Sequence, residues 1–567
     1  LHMNGQDSLV QPLLTDFYQI TMCYGYWLAG IHDEPAVFDL FFRKNPFHGE
    51  FTIFAGLEDC LRFVESFRFS KSDIDFIRKL LPEDCNPDFF KYLNDLDCGG
   101  LVIKAIPEGS AVFPKTPLIT VEGPLAVCQL LETTFLNLVN YASLMATNAS
   151  RFRQAAGNKV QMLEFGLRRA QGPNGGLTAS KYSYIGGFDG TSNVLAGKLF
   201  GIPVKGTQAH SFVCSFSSDK DLKVRTLRDK HGSEERDLYE LSLSKRHFIM
   251  QKVEWGVSES EVSNGELAAF VAYAVAFPSA NMSLIDTYDV LRSGVINFVA
   301  VTLALFELGY KSIGCRIDSG DLSYLSKEVR SRLRKVAVLD PALVWLEKMV
   351  IVASNDINEE TIMSLNEQSH EINAFGVGTH LVTCQKQPAL GCVYKLVTLS
   401  GQPKIKLSQE VSKITIPGRK KCYRLFGKSG YAILDLLILE DEPEPKANQQ
   451  ILCLCIQESK RALVVASRVE PLHEVFWSDG RIVKDLPDLK AIKAGLCCFT
   501  RFGFSPCFLW LPFQYQLQNH VNNSLNTLRK DHRRYLNPTP YKVSVSEKLY
   551  DFLHSLWLQN APIGQLE

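Results

Sequence analysis

From about residue 159 to 382 the chain alternates short β-branched or apolar runs with longer runs of helical periodicity. Val160–Phe165 precedes a helix near Leu177, and Val204–Thr207 follows a helical run Asn193–Phe200. Ser283–Asp286 follows Leu267–Phe277, and Ser312–Ile317 follows Ile296–Gly309. Met349–Ser354 follows Leu322–Val336, and Asn373–Val377 follows Glu359–Glu367. Six strand–helix alternations over some 220 residues predict parallel strands curving into a βα barrel.

Outside this block the text differs. Residues 9–150 mix helices (Asp16–Leu28, Ala126–Asn148) with strands such as Val37–Arg43, an N-terminal part of an α/β sandwich domain behind a short tail, residues 1–8. The barrel is assigned to residues 151–382, with a return to the sandwich over 383–482, where Val393–Leu399 and Ile451–Ile456 alternate as antiparallel strands do. The C-terminal region, 483–567, reads as mainly helical, with Ser546–Trp557 amphipathic; residues 497–522, rich in Phe and Cys and broken by two prolines, read as an atypical insert. The charged stretch Ser217–Arg246 reads as a mobile loop or exposed helix.

Composition narrows the function. Lys+Arg and Asp+Glu both total 61, so no global field calls for nucleic acid, and an anionic ligand must be held by local groups. Apolar stretches such as Phe298–Phe306 and Leu267–Phe277 are shorter than a bilayer span, so no membrane partner is expected. There is no secretory leader pattern at the start, and the 15 cysteines form no paired framework, which favours reduced thiols and the cytosol.

Polar residues cluster where the predicted strands end: Glu164 and Arg168; Thr207 and His210; Asp286; Arg316, Asp318 and Asp321; Asn355 and Asp356; Gly376, Gly378 and Thr379. The loops after βα-barrel strands form the ligand face. The two arginines at 168 and 169, followed by a glycine-rich loop, suit a planar carboxylate or a phosphate. Phe375-Gly-Val-Gly-Thr379 allows backbone amides to approach phosphate oxygens. Arg316-Ile-Asp-Ser-Gly-Asp321 sets a cation beside two carboxylates, which can accept sugar hydroxyls or hold Mg2+ through water. His210 can titrate, accept a proton or take a phosphoryl group. Structural alternatives stand beside each reading. Asp286, Asp318 and Asp356 can be helix N-caps, Arg316 can pair with Glu164 or Asp286, and Tyr18 can be an ordinary core residue.

Leu14–Met22, Phe165–Gly172, Gly206–His210, Ile285–Asp289, Arg316–Leu322 and Phe375–Thr379 together resemble the nicotinate phosphoribosyltransferase family. The resemblance implies an irregular βα barrel of the type II phosphoribosyltransferases beside an α/β sandwich domain, in a homodimer with shared active sites. It implies ATP-coupled transfer of phosphoribosyl from 5-phosphoribosyl 1-diphosphate to nicotinate, giving nicotinate mononucleotide and diphosphate, the first step of NAD biosynthesis from nicotinate. ATP is then a co-substrate, Mg2+ or Mn2+ the cofactor, and the enzyme a ligase by class. By motif, His210 corresponds to the phosphorylated histidine. Tyr18 of the neighbouring subunit, Arg168, Thr207 and Arg316 would meet nicotinate. Asp286 and Asp318 would serve the ribose and its metal-bound diphosphate, and Ser319, Gly376, Gly378 and Thr379 the phosphoribosyl donor. The residues that touch metal directly remain unassigned.

Overall fold

The structure is a computed structural model and describes residues 9–232, 234–407, 413, 415–455, 460–484 and 513–560. Six parallel strands carry the barrel, in the spatial order Met282–Leu284, Gly314–Ile317, Val350–Ser354, Ala374–Val377, Gln161–Glu164, Gly190–Thr191. Val204 adds a single parallel bridge to Thr191. On the far side of that bridge the ladder gives way to a side chain: Gln208 Nε2 donates to the Met282 carbonyl, 3.2 Å. The barrel is therefore irregular, closed partly by backbone and partly by side chains.

Two expectations change here. The run Val204–Thr207 contributes one bridge residue rather than a strand, and the strand that fills its place, Gly190–Thr191, is only two residues long. The stretch Ser217–Arg246, described apart from residue 233, carries regular elements. Thr226–Arg228 pairs with Glu235–Asp237 as a small hairpin, which leads into the helix Leu238–Lys252. Arg225 neutralises much of the local charge through Asp219, Asp237 and Glu240, while Leu238, Tyr239, Leu241 and Ile249 face the core. Charge content misled because the charges pair with one another.

Behind the barrel the helix Val295–Glu307 is enclosed on nearly every side. Together with the π turn Val290–Gly294 before it, this segment reaches the length and hydropathy of a bilayer span, yet 78% of it is buried inside the fold. Its hydrophobicity is that of a core helix. The π turn has a packing reason: a Cβ at Gly294 would stand 1.8 Å from the Ile285 carbonyl oxygen, so the turn lies directly against the end of a barrel strand.

Two further sheets form the second body of the protein. One has seven antiparallel strands, with Pro35–Phe42, buried from Ala36 onward, near its middle, between Cys392–Leu399 and Ile119–Pro124. The other has six strands and takes in Lys542–Val545 from the C-terminal region, a strand not legible as such in the sequence. A nearly inaccessible ion pair joins the two sheets, Lys420 Nζ to Asp39, 2.9 Å. Arg424 grips Asp435 with two bonds of 2.8 and 2.9 Å, and the Tyr541 hydroxyl donates to the same carboxylate. This fastens the C-terminal segment to the sheet.

Residues 485–512 lie outside the described residues, so the expected insert meets the structure only from Phe513 onward. There the helix Phe513–Asn526 belongs to the fold. Ser110 Oγ pairs with His520 Nε2 at 3.0 Å, Ala111 N–H donates to Ser524 Oγ at 2.8 Å, and Val521 and Leu525 are buried.

Glu266, on the helix Asn264–Ala276, is fully buried behind the Asp286 loop. Burial pushes its carboxyl up to about 7, with Asp286 and Asp289 adding to the rise while Ser293 and Asn297 oppose it. An unfolded glutamate ionises well below this, so the stability this group gives is complete at acid pH and is lost as pH rises through about 7. Glu266→Gln should therefore raise the unfolding free energy relative to the parent near pH 8, on the order of 2–3 kcal/mol, and by much less near pH 5. Denaturant unfolding at the two pH values checks this; an equal difference at both would contradict it.

Candidate active site

Parallel register determines which residues can meet. Leu284 pairs with Arg316, Arg316 with Val352 and Val352 with Ala374; two residues on, Ser354 pairs with Gly376 and Gly376 with Leu163. Paired residues in neighbouring strands face the same side. Asp286 and Asp318 continue this row just past their strands. The side chains follow the register: Ser354 Oγ donates to Asp318 Oδ1 at 2.6 Å, and the Asp318 N–H donates to Asp286 Oδ2 at 2.9 Å. Ser319 Oγ adds a second donor to the same Asp286 oxygen, 2.6 Å.

Arg316 is held from three directions. Its Nη1 donates to Ser354 Oγ at 3.1 Å and lies 3.4 Å from Asp318 Oδ1, while Nη2 donates to the Gln208 carbonyl at 2.6 Å. The predicted structural bridges to Glu164 and Asp286 are not the ones it makes. Burial pulls its pKa down, Asp318 and Asp286 oppose that, and Arg168 adds to it. Arg168 is exposed and has no hydrogen-bond or ion-pair partner among the described residues. Two guanidiniums at one mouth, one anchored and one unpaired, make a local anion site in a chain of zero net charge.

Glu164 organises the loop that carries Arg168. Its carboxylate accepts from the Gly166 N–H, Ser180 Oγ at 2.9 Å and Thr191 Oγ1, and it is buried. Glu164 is thus committed to structure. His210 opens the short helix His210–Cys214; its Nδ1 lies 3.1 Å from Thr287 Oγ1 and its Nε2 3.7 Å from Asp318 Oδ2.

The capping alternative for the aspartates fails in an instructive way. The caps are Asp289, Asp321 and Asn358, which accept from Leu291 and Arg292, from Tyr324, and from Thr361 respectively. Asp286, Asp318 and Asp356 each stand two or three residues earlier and are spared that duty. Asp286 Oδ1, Thr207 Oγ1, Gln208 Oε1 and Arg316 Nε are all buried and lack any hydrogen-bond partner. Four orphaned polar atoms on these converging segments are costly unless a ligand satisfies them.

The Gly376 and Thr379 segment divides in two. Gly376 is fully enclosed, and a Cβ there would stand 2.4 Å from the Phe165 ring and 3.1 Å from Ser354 Cβ. Its lack of a side chain is what lets Phe165 lie across the row. Gly378 and Thr379 are partly exposed at the strand exit. The N–H groups of Gly378, Thr379 and His380 have no acceptor among the described residues, which leaves three successive donors for phosphate oxygens.

Sequence reasoning missed Phe165, Ser354, Gln208 and Thr287. Phe165 reads as the last apolar residue of a strand, but Gly376 on the neighbouring strand was a signal that some side chain needs the space. Tyr18 stays apart. It lies nearly half exposed on the helix Phe17–Leu28, beside Glu132 and Thr133, and no described contact joins it to the strand ends of its own chain.

Family models of nicotinate phosphoribosyltransferase match along most of the sequence: the N-terminal domain over residues 13–140, the central family model over 160–428, and the C-terminal domain over 419–496 and 511–553. The nicotinate phosphoribosyltransferase of Caenorhabditis elegans is 69% identical over 569 residues, spanning 100% of this chain and 97% of that protein. The chain belongs to the nicotinate phosphoribosyltransferase family. The human relative is 45% identical, with 98% of each chain covered. The crystal structure of human nicotinic acid phosphoribosyltransferase superposes with a TM-score of 0.83 at 42% identity, over 96% of this chain and 99% of that one. The fold is accordingly the irregular barrel and sandwich of the type II phosphoribosyltransferases. The C-terminal match skips residues 497–510, within the run that reads as an insert and short of the helix beginning at Phe513.

The packing of Phe165 over Gly376 makes a specific prediction for this nicotinate phosphoribosyltransferase fold. Gly376→Ala should cost about 1–3 kcal/mol of stability through overpacking. In a Phe165→Leu background the same change should cost clearly less, because the two sites share one space. Denaturant midpoints of the four proteins test it; strictly additive losses would contradict the contact.

Proposed function

We propose that this chain transfers phosphoribosyl from 5-phosphoribosyl 1-diphosphate to nicotinate, releasing diphosphate, with ATP consumed through phosphorylation of His210. The observation that carries the reading is the pairing of the anchored Arg316 with the unpaired Arg168 at strand ends that also present Asp286 and Asp318. One corner of such a site takes an anion and the other takes hydroxyls or a metal.

Nicotinate enters with its carboxylate toward the arginines and its ring against Phe165. A neutral amide would forfeit the charge-assisted part of that contact. Thr207 Oγ1 and Arg316 Nε are the buried donors left for it. Tyr18, displayed away from its own site, covers the ring from a second copy of the chain, which makes the working unit a homodimer. The 5-phosphate rests on the N–H groups of Gly378 and Thr379, and Ser319 stays with the donor's ribose end.

Displacing diphosphate from the ribose C1 develops positive charge on the sugar, so the carboxylates of Asp286 and Asp318 stabilise the ring as the bond breaks. A bound Mg2+ or Mn2+ supplies charge neutralisation for the departing diphosphate. Asp286 Oδ1 is the free oxygen that would face it. Among the described residues no group of three or more side chains forms a ready-made metal cage, which suits an ion held mostly by substrate oxygens and water.

A product assay with nicotinate, the phosphoribosyl donor and Mg2+, run with and without ATP, tests the reading. Nicotinate mononucleotide should form, and ATP should raise its yield. His210→Ala should drive the ADP-to-product ratio toward zero. Arg316→Ala should raise the KM for nicotinate by about ten- to a hundredfold, the worth of a charged hydrogen bond, while leaving that for ATP nearly unchanged. Nicotinamide turned over as well as nicotinate, or an unaltered ADP-to-product ratio in His210→Ala, would contradict it.

A further inference from the structure

The partners of His210 fix more than its position. An ionised carboxylate can only accept a hydrogen bond; Asp318 Oδ2, 3.7 Å from Nε2, lies beyond hydrogen-bond reach, but its charge favours hydrogen on that nitrogen in the neutral imidazole. Nδ1 then bears the lone pair, and the hydroxyl 3.1 Å from it, Thr287 Oγ1, is its donor. Thr287 is not free to wander. It sits between Asp286, whose carboxylate is tied to Asp318 and Ser319, and the π turn capped by Asp289 and pressed on Ile285. The ring is thus clasped from two sides by neighbouring strand exits, while 42% of its side chain faces open space.

We propose that Thr287 is a positioning residue for His210: it holds the ring so that Nδ1 is presented as the nucleophile toward the γ-phosphorus of a nucleoside triphosphate. This rests on the phosphohistidine reading above and adds a residue to it. In the step itself the Nδ1 lone pair forms the N–P bond as the bond from the γ-phosphorus to the β–γ bridging oxygen breaks, and that electron pair leaves on the β-phosphate of the nucleoside diphosphate. Nε2 keeps its hydrogen, and the positive charge that develops on the ring lies against Asp318. The Thr287 hydroxyl, displaced from Nδ1 by the incoming phosphorus, turns its O–H to a phosphoryl oxygen. One side chain aims the ring before transfer and partners the group after it.

Thr287→Val keeps the shape and removes the hydroxyl; Thr287→Ser keeps the hydroxyl and removes the methyl. With full-length protein and γ-labelled ATP, the initial rate of acid-labile, histidine-bound label should fall about tenfold in Thr287→Val, the worth of one hydrogen bond in a transition state. Thr287→Ser should return to within about threefold of the parent. Melting curves of both variants should match the parent, and Thr287→Ala serves as a second hydroxyl-free variant should Val pack poorly. Parental labelling in the Val and Ala variants would overturn the inference, as would a Ser variant no better than Val. No histidine-bound label on the parent protein would sink the phosphohistidine reading itself, and this inference with it; the former outcomes sink this inference alone.

Discussion

The site depends on a row of residues that parallel strands force to face the same way. Arg316, Ser354, Asp318 and Asp286 lie far apart in sequence, yet register alone brings them side by side, and their hydrogen bonds run continuously from guanidinium to hydroxyl to carboxylate to backbone N–H. The row carries opposite charges in a partly desolvated space, where a misaligned pair costs several kcal/mol. It holds because each member has a second partner. Ser354 both accepts from Arg316 and donates to Asp318, so one hydroxyl aligns the cation with the anion.

From that row the other features follow as accommodations. Gly376 continues it with no side chain, and Phe165 fills the space. Glu164 is spent on holding its own loop, which leaves Arg168 beyond it unpaired. The caps fall to Asp289, Asp321 and Asn358, so Asp286 and Asp318 are not consumed in starting helices. Thr207 Oγ1, Gln208 Oε1, Asp286 Oδ1 and Arg316 Nε lie buried on these segments without a hydrogen-bond partner among the described residues.

Much of this was legible in the chain, and the failures have physical causes. Strands whose apolar run lies between long helices were found to within two residues, as with Val350–Ser354 and Ala374–Val377. Gly190–Thr191 escaped because two residues make no period, and Val204–Thr207 misled because its residues look like a strand but pair only once. The strand Lys542–Val545 escaped because its partners come from over a hundred residues earlier. Titratable groups with unusual surroundings were found; the neutral hydroxyls of Ser354 and Thr287 were not, since only three-dimensional neighbours distinguish them from any other serine or threonine. Tyr18 rests on the resemblance alone. Its own chain gives it no ligand to meet.

If these strand ends form one pocket for an acidic pyridine and a sugar phosphate, nicotinate mononucleotide should occupy it. A crystal structure with nicotinate mononucleotide bound tests it most directly. The pyridine carboxylate should lie at Arg168 and Arg316, the ribose at Asp286 and Asp318, and the phosphate on the N–H groups of Gly378 and Thr379. Density for the nucleotide elsewhere, or in a pocket that leaves Arg316 and Asp286 untouched, would contradict it.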